Sequence, residues 1–426
     1  MNKRVVITGM GVVSPNATGL KNFENAIRHG KTGIQYIPEL KKHGFSCQVG
    51  GIPDITNAEH LPVLNKYSLD QADMAIRYAV LAGIEAWTNA GMDIPDFNGS
   101  EMYNEYGAII GTCFGGTEIM IRKIHPLVKA GKTRRLGSQI VEHWMPSGSA
   151  AALSSILALA NQTTANSSAC STGNEAIVMA YNRVKAGKAK CMHAGGTDPY
   201  SPYAWAGFDS MRVLTRKHNE TPEQASRPMS ESAGGFVPAA GAGVVLVEEL
   251  DHALKRDARI YAEIIGGSIN SGGHRHGGTM TAPNPTRVID CIRNAINEAG
   301  ISGDDIDLVS GHLTGTLADK IEIQNWVDAL KLTNKFPYFN SLKSMIGHTI
   351  GAAGAIEFIA SVLQIYNQYI HPSINCEDVH PDIKKMIPSD KIPHEIIAHA
   401  KIQYLAKAAF GFGDVNSCVL LTSMKN

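Results

Sequence analysis

The stretch Ser167-Ser168-Ala169-Cys170-Ser171-Thr172-Gly173 joins a β-type run to an apolar helix, and a cysteine stands at the junction. Residues 175–184 (EAIVMAYNRV) are nearly continuous apolar sequence, which predicts a buried helix that stops at the capping residue Gly187. A cysteine at a helix start lies at the positive end of the helix dipole beside unpaired backbone N–H groups, and both should lower its pKa. The stretch therefore predicts Cys170 as a nucleophile, with a small buried hydrophobe as the alternative.

The composition restricts the class of protein to which the chain can belong. Its 426 residues carry a formal net charge of zero and a pI near 7.3, so no overall field attracts nucleic acid or an anionic membrane. The seven cysteines are scattered without C-x-x-C spacing, which is typical of reduced thiols. The apolar run at the N-terminus is short and broken by glycines, which favours a first strand over a signal peptide. We therefore expect a cytoplasmic enzyme that binds neither nucleic acid nor membrane.

Two pairs of candidate metal ligands occur in the chain, His274 with His276 and Cys191 with His193. Neither pair has the spacing of a known structural or catalytic zinc motif. We therefore predict no metal site.

Short apolar strands alternate with helical segments along the chain, which is the pattern of an α/β protein. A first series of strands and helices ends in a charged helix at residues 248–256, and a second series begins with a strand at residues 259–265. The sequence between them has no Pro/Ser-rich linker. It therefore predicts two intimately packed α/β halves, residues 1–258 and residues 259–426.

His312 follows a predicted strand in the second half, at the kind of junction where α/β proteins build their sites. Thr314 and Thr316 come directly behind it, and a functional site explains this pattern better than a core histidine does. Asp319 and Glu322 lie further on, at the start of a predicted helix. A structural role as an N-cap pair is sufficient to explain them.

Lys343 and His348 stand on a tight loop before a glycine- and alanine-rich helix at residues 351–366. This arrangement favours a further part of a site over a solvated lysine and a core histidine. Near the C-terminus, residues 410–416 (FGFGDVN) contain glycines that can free backbone N–H groups to bind an oxyanion.

Together these segments resemble the β-ketoacyl-acyl carrier protein synthases, most of all the type I and type II elongating enzymes of dissociated fatty acid and polyketide synthesis. The matching motifs, in chain order, are SSACSTG, SRPM with GGFV and AGAGVVLVEEL, GHLTGT, KSMIGHTIGAAGAIE and FGFG. The resemblance covers nearly the whole chain. It implies the thiolase fold, in which two duplicated halves form five layers (α-β-α-β-α). It also implies acyl carrier protein as the partner and a homodimer, with a heterodimer as the alternative.

The resemblance further implies a reaction, a decarboxylating Claisen condensation. Cys170 would hold the acyl primer as a thioester after taking it from the phosphopantetheine arm of a carrier protein, so the enzyme needs no cofactor of its own. His312 and His348 would donate hydrogen bonds from Nε2 to the thioester carbonyl of malonyl-acyl carrier protein while CO₂ leaves. Lys343, paired with Glu357, would orient and polarise this group. The resulting enolate would attack the acyl group on Cys170 to give 3-oxoacyl-acyl carrier protein.

Binding roles follow from the same resemblance. The backbone N–H groups of Cys170 and Phe412 would form the oxyanion hole, and Phe412 would also act as a gate. Thr314 and Thr316 would bind the pantetheine arm, while Phe236 and Phe412 would border the acyl channel.

The sequence departs from the family pattern at several positions, so we expect a divergent but active member. Leu313 follows His312 where the family usually has glycine, and Asp414 replaces a glycine in the GFG turn. Phe114 stands where elongating relatives tend to carry a smaller residue at the far end of the acyl pocket. A ring there should shorten the pocket by several methylenes, each worth about 0.8 kcal/mol of burial. We therefore predict short or rigid primers and a specialised polyketide or polyene pathway.

Two alternatives stay open at this point. A non-decarboxylating thiolase would use a second cysteine near the C-terminus as a base, and Cys418 lies near that end. A non-catalytic or weakly active chain-length partner subunit of a heterodimeric ketosynthase would typically lack the nucleophile, and Cys170 argues against it.

Overall fold

Two sets of strands with the same connectivity form the main sheets of the protein. The computed structural model describes residues 2–96, 98–332 and 335–424. The strands within these ranges are β1 (Val5–Ser14), β2 (Ala17–Thr18), β3 (Ile34–Tyr36), β4 (Val49–Gly51), β5 (Tyr106–Gly111), β6 (Thr163–Thr164), β7 (Cys191–Asp198), β8 (Gly241–Glu249), β9 (Ala262–Ser271), β10 (Leu308–Ser310), β11 (Tyr338–Asn340), β12 (Tyr404–Gly411) and β13 (Val415–Thr422).

The α-helices of the described residues cover both faces of these sheets. They are α1 (Leu20–Arg28), α2 (Pro38–Lys42), α3 (Leu61–Lys66), α4 (Met74–Asn89), α5 (Thr117–Ile119), α6 (His125–Lys129), α7 (Gly148–Ile156), α8 (Thr172–Lys185), α9 (Pro202–Ser210), α10 (Leu250–Lys255), α11 (Pro285–Ala299), α12 (Asp319–Leu330), α13 (Lys343–Ile346), α14 (Ala353–Asn367) and α15 (Pro381–Met386). The helix predicted after Cys170 is α8, and it extends further in both directions than residues 175–184.

The two sets of strands are topologically equivalent. Strands of the first half run in the order β6-β5-β7-β8-β1, and those of the second half in the order β11-β10-β12-β13-β9. In each set the first three strands of that order are parallel, and the next two pairings are antiparallel. The sets join at one corner, where β1 pairs with β9 through Val5, Val6 and Ile7. The two connectivities therefore coincide when β1 is matched with β9, β5 with β10 and β7 with β12.

Helices complete five layers around the two sheets. One hydrophobic core lies between α4, α7 and the first sheet, and another lies between α11, α12 and the second sheet. The largest core surrounds α8 and α14, which lie between the two sheets. Strand β1 is buried along its whole length because helices cover both of its faces. The structure thus has the duplicated α-β-α-β-α arrangement that the family resemblance implies.

Helix α14 is the most apolar of the central elements. The window Ile350–Asn367 could span a membrane by its length and composition alone, but 89% of it is buried inside the protein. The helix is buried because it lies in the central layer, where it packs against a sheet on each of its two faces. The starts of α8 and α14 bring Cys170 and His348 to the middle of the molecule.

Candidate active site

Cys170 lies in a strained turn at the start of α8. The preceding residue, Ala169, has a φ of +48°, a left-handed conformation that residues with a Cβ rarely adopt. The Thr172 hydroxyl stabilises this turn: it donates to the Ala169 carbonyl at 2.7 Å and accepts from the Ser168 N–H at 2.7 Å. The local geometry therefore fixes the direction of the cysteine side chain. Sequence reasoning missed this strain, because no residue type in the motif demands it.

Gly411, the last residue of β12, allows a second chain segment to approach the cysteine. A Cβ at this position would lie 2.7 Å from the Ser168 carbonyl oxygen and 3.1 Å from the Cys170 nitrogen. The backbone N–H groups of Phe412 and Cys170 both interact with the Cys170 sulfur and favour its thiolate. Two N–H groups directed at one point can stabilise an oxyanion that forms there.

Burial raises the pKa of the Cys170 thiol to about 11, with the charge of Lys343 and the Phe412 N–H acting in the opposite direction. The prediction of a lowered pKa is therefore wrong. It considered the helix dipole and the free N–H groups but could not include the loss of water around the sulfur. At neutral pH the resting group is the thiol, and its proton must leave during acylation.

His312 and His348 lie directly beside the cysteine. Their ring centroids are 5.3 Å apart, and one nitrogen of each ring and the Cys170 sulfur all lie within 4.8 Å of one another. His348 Nδ1 accepts a hydrogen bond from the Ile350 N–H at 3.1 Å. His312 Nδ1 lies 3.4 Å from the ammonium of Lys343, which can only donate. Each neutral ring therefore carries its proton on Nε2.

Both imidazoles are held in the neutral form. The pKa of His312 and that of His348 are lowered well below the usual range, first by burial and then by the charge of Lys343. His348 Nε2 has no hydrogen-bond partner among the described residues. The two Nε2–H groups are thus available to donate to a single carbonyl oxygen.

A buried charge network supports these histidines. Lys343 donates from Nζ to the His312 carbonyl oxygen at 2.6 Å and forms an ion pair with Glu357, the partner expected from the sequence. The other Glu357 oxygen lies 2.8 Å from Nζ of Lys407 on β12. All three side chains are at most 1% exposed. Sequence reasoning missed Lys407, because a single lysine in the strand segment YLAKAAFG is indistinguishable from a solvent-facing one.

Two carboxylates hold the loop that carries His312. Glu322 accepts the N–H groups of His312 and Leu313 at 2.6 and 2.7 Å, and Asp319 accepts that of Thr314 at 2.8 Å. Both carboxylates lie in the first turn of α12, with their side chains turned back toward the loop. The interpretation of Asp319 and Glu322 as a simple N-cap pair is therefore wrong.

The two departures from the family pattern have structural partners outside the site. The Leu313 side chain is fully buried in the core beneath α12. The Asp414 carboxylate accepts the N–H groups of Asn284 at 2.8 Å and His274 at 3.0 Å, which ties the Phe412 turn to a neighbouring loop. Neither side chain occupies the space beside the histidines.

Four phenylalanines form one aromatic cluster beside His348. The ring of Phe208, on α9, lies 5.8 Å from that of Phe114, 5.4 Å from that of Phe236 and 6.2 Å from that of Phe412. Phe236 in turn lies 5.2 Å from the His348 ring. The three residues assigned to the acyl pocket therefore meet through Phe208, which the sequence did not single out. Thr314 and Thr316 are half-buried on the His312 loop, with their hydroxyl oxygens 3.0 Å apart.

The spacing of Cys170, His312 and His348 would also suit a metal ion. The surroundings favour an anion instead, because the ammonium of Lys343 and the N–H groups of Cys170 and Phe412 all present positive charge to this point. The arrangement can hold an acyl group on sulfur and stabilise a negatively charged oxygen close to it.

Fold and site together define a condensing enzyme of the thiolase type, and comparison with known proteins agrees with this class. The chain matches the family model "Beta-ketoacyl synthase, N-terminal domain" over residues 2–253 and the model "Beta-ketoacyl synthase, C-terminal domain" over residues 261–377. It belongs to the β-ketoacyl synthase family.

Individual relatives match over the full length of the chain. It is 33% identical to the chloroplastic 3-oxoacyl-acyl-carrier-protein synthase I of Arabidopsis thaliana, over 99% of this chain and 87% of the relative. It is 33% identical to 3-oxoacyl-acyl-carrier-protein synthase 2 of Coxiella burnetii, over 99% and 98%. Among solved structures, a type II polyketide ketosynthase in complex with its acyl-carrier protein matches with a TM-score of 0.86 and 26% identity, over 100% of both chains. The thiolase-type fold is thereby confirmed.

Proposed function

We propose that the protein catalyses the decarboxylating condensation of an acyl primer with malonyl-acyl carrier protein, giving 3-oxoacyl-acyl carrier protein in fatty acid or polyketide synthesis. The observation that carries this proposal is the pair of neutral histidines with both Nε2–H groups beside the Cys170 sulfur. The relatives named as 3-oxoacyl-acyl-carrier-protein synthases support the reaction, and the ketosynthase solved with its carrier protein supports the partner.

Acylation takes place at Cys170 of the first half, and the second half contributes the Phe412 N–H group. The Cys170 sulfur attacks the thioester carbonyl of the acyl carrier, and the N–H groups of Cys170 and Phe412 stabilise the oxyanion. The new carbon–sulfur bond forms on Cys170 as the pantetheine sulfur leaves. The thiol proton of Cys170 departs with that leaving group, so the charges balance.

Condensation uses the second half. The thioester carbonyl of malonyl-acyl carrier protein accepts hydrogen bonds from Nε2 of His312 and of His348. The carbon–carbon bond to the malonyl carboxylate breaks and CO₂ leaves. The electron pair of the broken bond forms the enolate. The enolate carbon attacks the acyl carbonyl, and the Cys170 sulfur leaves as a thiolate, which takes a proton from solvent to restore the thiol. Lys343 does not touch the carbonyl in this scheme: it holds His312 through the backbone oxygen and Nδ1.

Primer selection is assigned to the aromatic cluster. Phe114 packs edge-to-face on Phe208, which closes the end of the proposed acyl channel. Phe236 and Phe412 border the channel nearer the histidines, and Phe412 serves as its gate. The pocket accordingly favours short or rigid primers, which suits a specialised polyketide or polyene pathway. Thr314 and Thr316 are assigned to the pantetheine arm, since both are half-buried on the loop that carries His312 and their hydroxyl oxygens lie 3.0 Å apart.

We assign the two halves to residues 1–258 and 259–426, which meet between α10 and β9. A homodimer through β6 is the assembly we propose, because β6 is the terminal strand of its sheet and pairs only with β5 among the described strands. An unpaired edge of this kind recruits a second strand. A heterodimer is the second possibility. The seven cysteines are all free, which supports a reducing compartment such as the cytoplasm.

The thiolase alternative is not favoured. Cys418 lies within β13, fully buried in the core beneath α11 and α12, and its pKa is raised well above the usual range by burial. The side chain thus lies in the outer core of the second half, whereas Cys170 lies at the start of α8, between the two sheets. The chain-length partner is not favoured either, since the nucleophile and both histidines are in place.

Intact-mass spectrometry with a panel of acyl-acyl carrier proteins tests the proposal. Wild type should gain the mass of one acyl group and release CO₂ from malonyl-acyl carrier protein, whereas Cys170→Ala should gain no acyl mass. An acyl adduct without any release of CO₂ would assign the protein to a thiolase-like reaction instead.

A further inference from the structure

Lys407 is a fully buried charge that the proposed steps do not use. Its side chain is 0% exposed on β12, three residues before Phe410. Burying an ammonium costs several kcal/mol unless it is paired and hydrogen-bonded. Lys407 satisfies this requirement with the Ala408 carbonyl oxygen and with Glu357, whose Oε2 lies 2.8 Å away. The lysine is therefore held at one point in the centre of the protein.

The carboxylate of Glu357 is held from both sides. Lys343 binds Oε1 and Lys407 lies against Oε2, so the carboxylate cannot rotate without breaking a buried ion pair. Lys343 in turn contacts the backbone oxygen and Nδ1 of His312. A single chain of charged contacts thus leads from Lys407 to a histidine of the site. This chain of contacts contains two ammonium groups and one carboxylate, all at most 1% exposed.

We propose that Lys407 is a positioning residue for decarboxylation: it fixes Glu357, which fixes Lys343 against His312. This inference rests on the roles proposed above for His312 and His348. Lys407 does not touch the reacting atoms. We expect its effect to fall mainly on decarboxylation, because acylation uses the Cys170 sulfur and backbone N–H groups.

The charges around the two imidazole rings determine whether the histidine pKa values rise or fall when the charge of Lys407 is removed. The titratable groups that face them are Lys343, Lys407, Glu357, Glu322, Cys170 and Asp198. Lys407 lowers the pKa of His312 and of His348 in addition to burial and Lys343. Removing its charge should therefore raise both pKa values. A proton added at Nδ1 would face the Lys343 ammonium in His312 and the Ile350 N–H in His348, and would break the arrangement that directs Nε2.

The test uses Lys407→Met, Lys407→Gln and a matched control, Lys190→Met. Methionine removes the charge and the donor, whereas glutamine removes the charge but can still donate an N–H to Glu357. Lys190 forms an ion pair with Glu249 in the first half, far from the histidines. The measurements are CO₂ release from malonyl-acyl carrier protein as a function of pH, acyl transfer to Cys170 by intact mass, and thermal stability.

We expect Lys407→Met to slow CO₂ release by about tenfold or more while acyl transfer stays within about threefold of wild type. The acid limb of the pH profile should move upward in both Lys407 variants, with less loss of rate in the glutamine variant, and should not move in Lys190→Met. A wild-type rate and acid limb in Lys407→Gln would overturn the proposal, and so would equal losses in both steps with an unmoved acid limb. Failure of wild type to release CO₂ would instead contradict the proposed function.

Discussion

The two halves of the protein place different chemistry at equivalent positions of one topology. Cys170 precedes α8 in the first half, and His348 precedes the equivalent helix α14 in the second. Cys113 follows β5, and His312 follows the equivalent strand β10. The duplicated fold therefore brings thiols to the centre from one side and imidazoles from the other.

The surroundings of these groups differ as much as the groups themselves. Beside Cys170 lie the backbone N–H groups of Cys170 and Phe412, and the Phe412 ring belongs to the aromatic cluster around Phe208, a suitable environment for an uncharged acyl chain. Beside the histidines lie Lys343, Glu357 and Lys407, whose buried charges suit an enolate. The fold determines where side chains meet, whereas the neighbours of each side chain determine which step it performs. On this account, the first half holds the acyl group and the second half removes CO₂.

Cys170→Ala should give the largest difference between the two steps, condensation and CO₂ release. Without the sulfur no acyl-enzyme can form, so condensation should fall by more than about 10⁴-fold. The second half keeps both Nε2–H groups, and CO₂ release from malonyl-acyl carrier protein should stay within about tenfold of wild type. Intact mass and a CO₂ assay measure the two outcomes. An acyl adduct at another residue of the variant would show that Cys170 is not the acyl holder.

The halves should also differ in their pH dependence. Because burial raises the pKa of Cys170 to about 11, its thiolate fraction should grow about tenfold per pH unit between about pH 7 and pH 10. Iodoacetamide labelling of Cys170, followed by peptide mass analysis, should accelerate accordingly over that range. The histidines, with lowered pKa values, should stay neutral throughout. A labelling rate that reaches a plateau near pH 8 would mean that the thiol is activated in the resting enzyme.

Phe114→Gly should change only acylation, the step assigned to Cys170, through the length of primer that is accepted. Removing the ring that packs on Phe208 opens the proposed channel, and each added methylene of primer should gain up to about 0.8 kcal/mol. Acylation by carrier proteins loaded with two to twelve carbons should shift toward longer chains, with CO₂ release unchanged. Phe114→Leu serves as an intermediate control. Equal rates at every chain length in wild type and both variants would remove Phe114 from the pocket.

Glu322→Gln should have the smallest effect of these substitutions. It should lower the stability of the loop that carries His312 and leave acyl transfer unchanged. The amide keeps one acceptor for the N–H groups of His312 and Leu313 and loses the other, which should cost about 1–3 kcal/mol of unfolding free energy. A denaturant titration measures this change. Acyl transfer to Cys170 should stay at the wild-type rate, and a parallel loss of acylation would argue that the two halves are not separable.

The sequence predicted the parts of the site that short motifs carry. Cys170, His312, Lys343 and His348 all stand at junctions between predicted elements, and the two α/β halves follow from the alternation of strands and helices. The pairing of Lys343 with Glu357 was also expected, as part of the family resemblance.

The features of the site that the sequence did not predict depend on contacts between distant segments of the chain. Phe208 and Lys407 join the site only because α9 and β12 pack against it, and neither carries a local signal. The positive φ of Ala169 depends on the turn that Thr172 stabilises. The raised pKa of Cys170 depends on complete burial, which no spacing of residues reveals.

The most direct test of this division between the halves is His348→Ala, examined for both steps with the same carrier proteins. The variant should still gain one acyl group on Cys170, within about threefold of the wild-type rate, while CO₂ release should fall by about 10²–10³-fold because one oxyanion donor is lost. Preserved CO₂ release in His348→Ala would contradict the account, and so would loss of the acyl adduct in a folded variant.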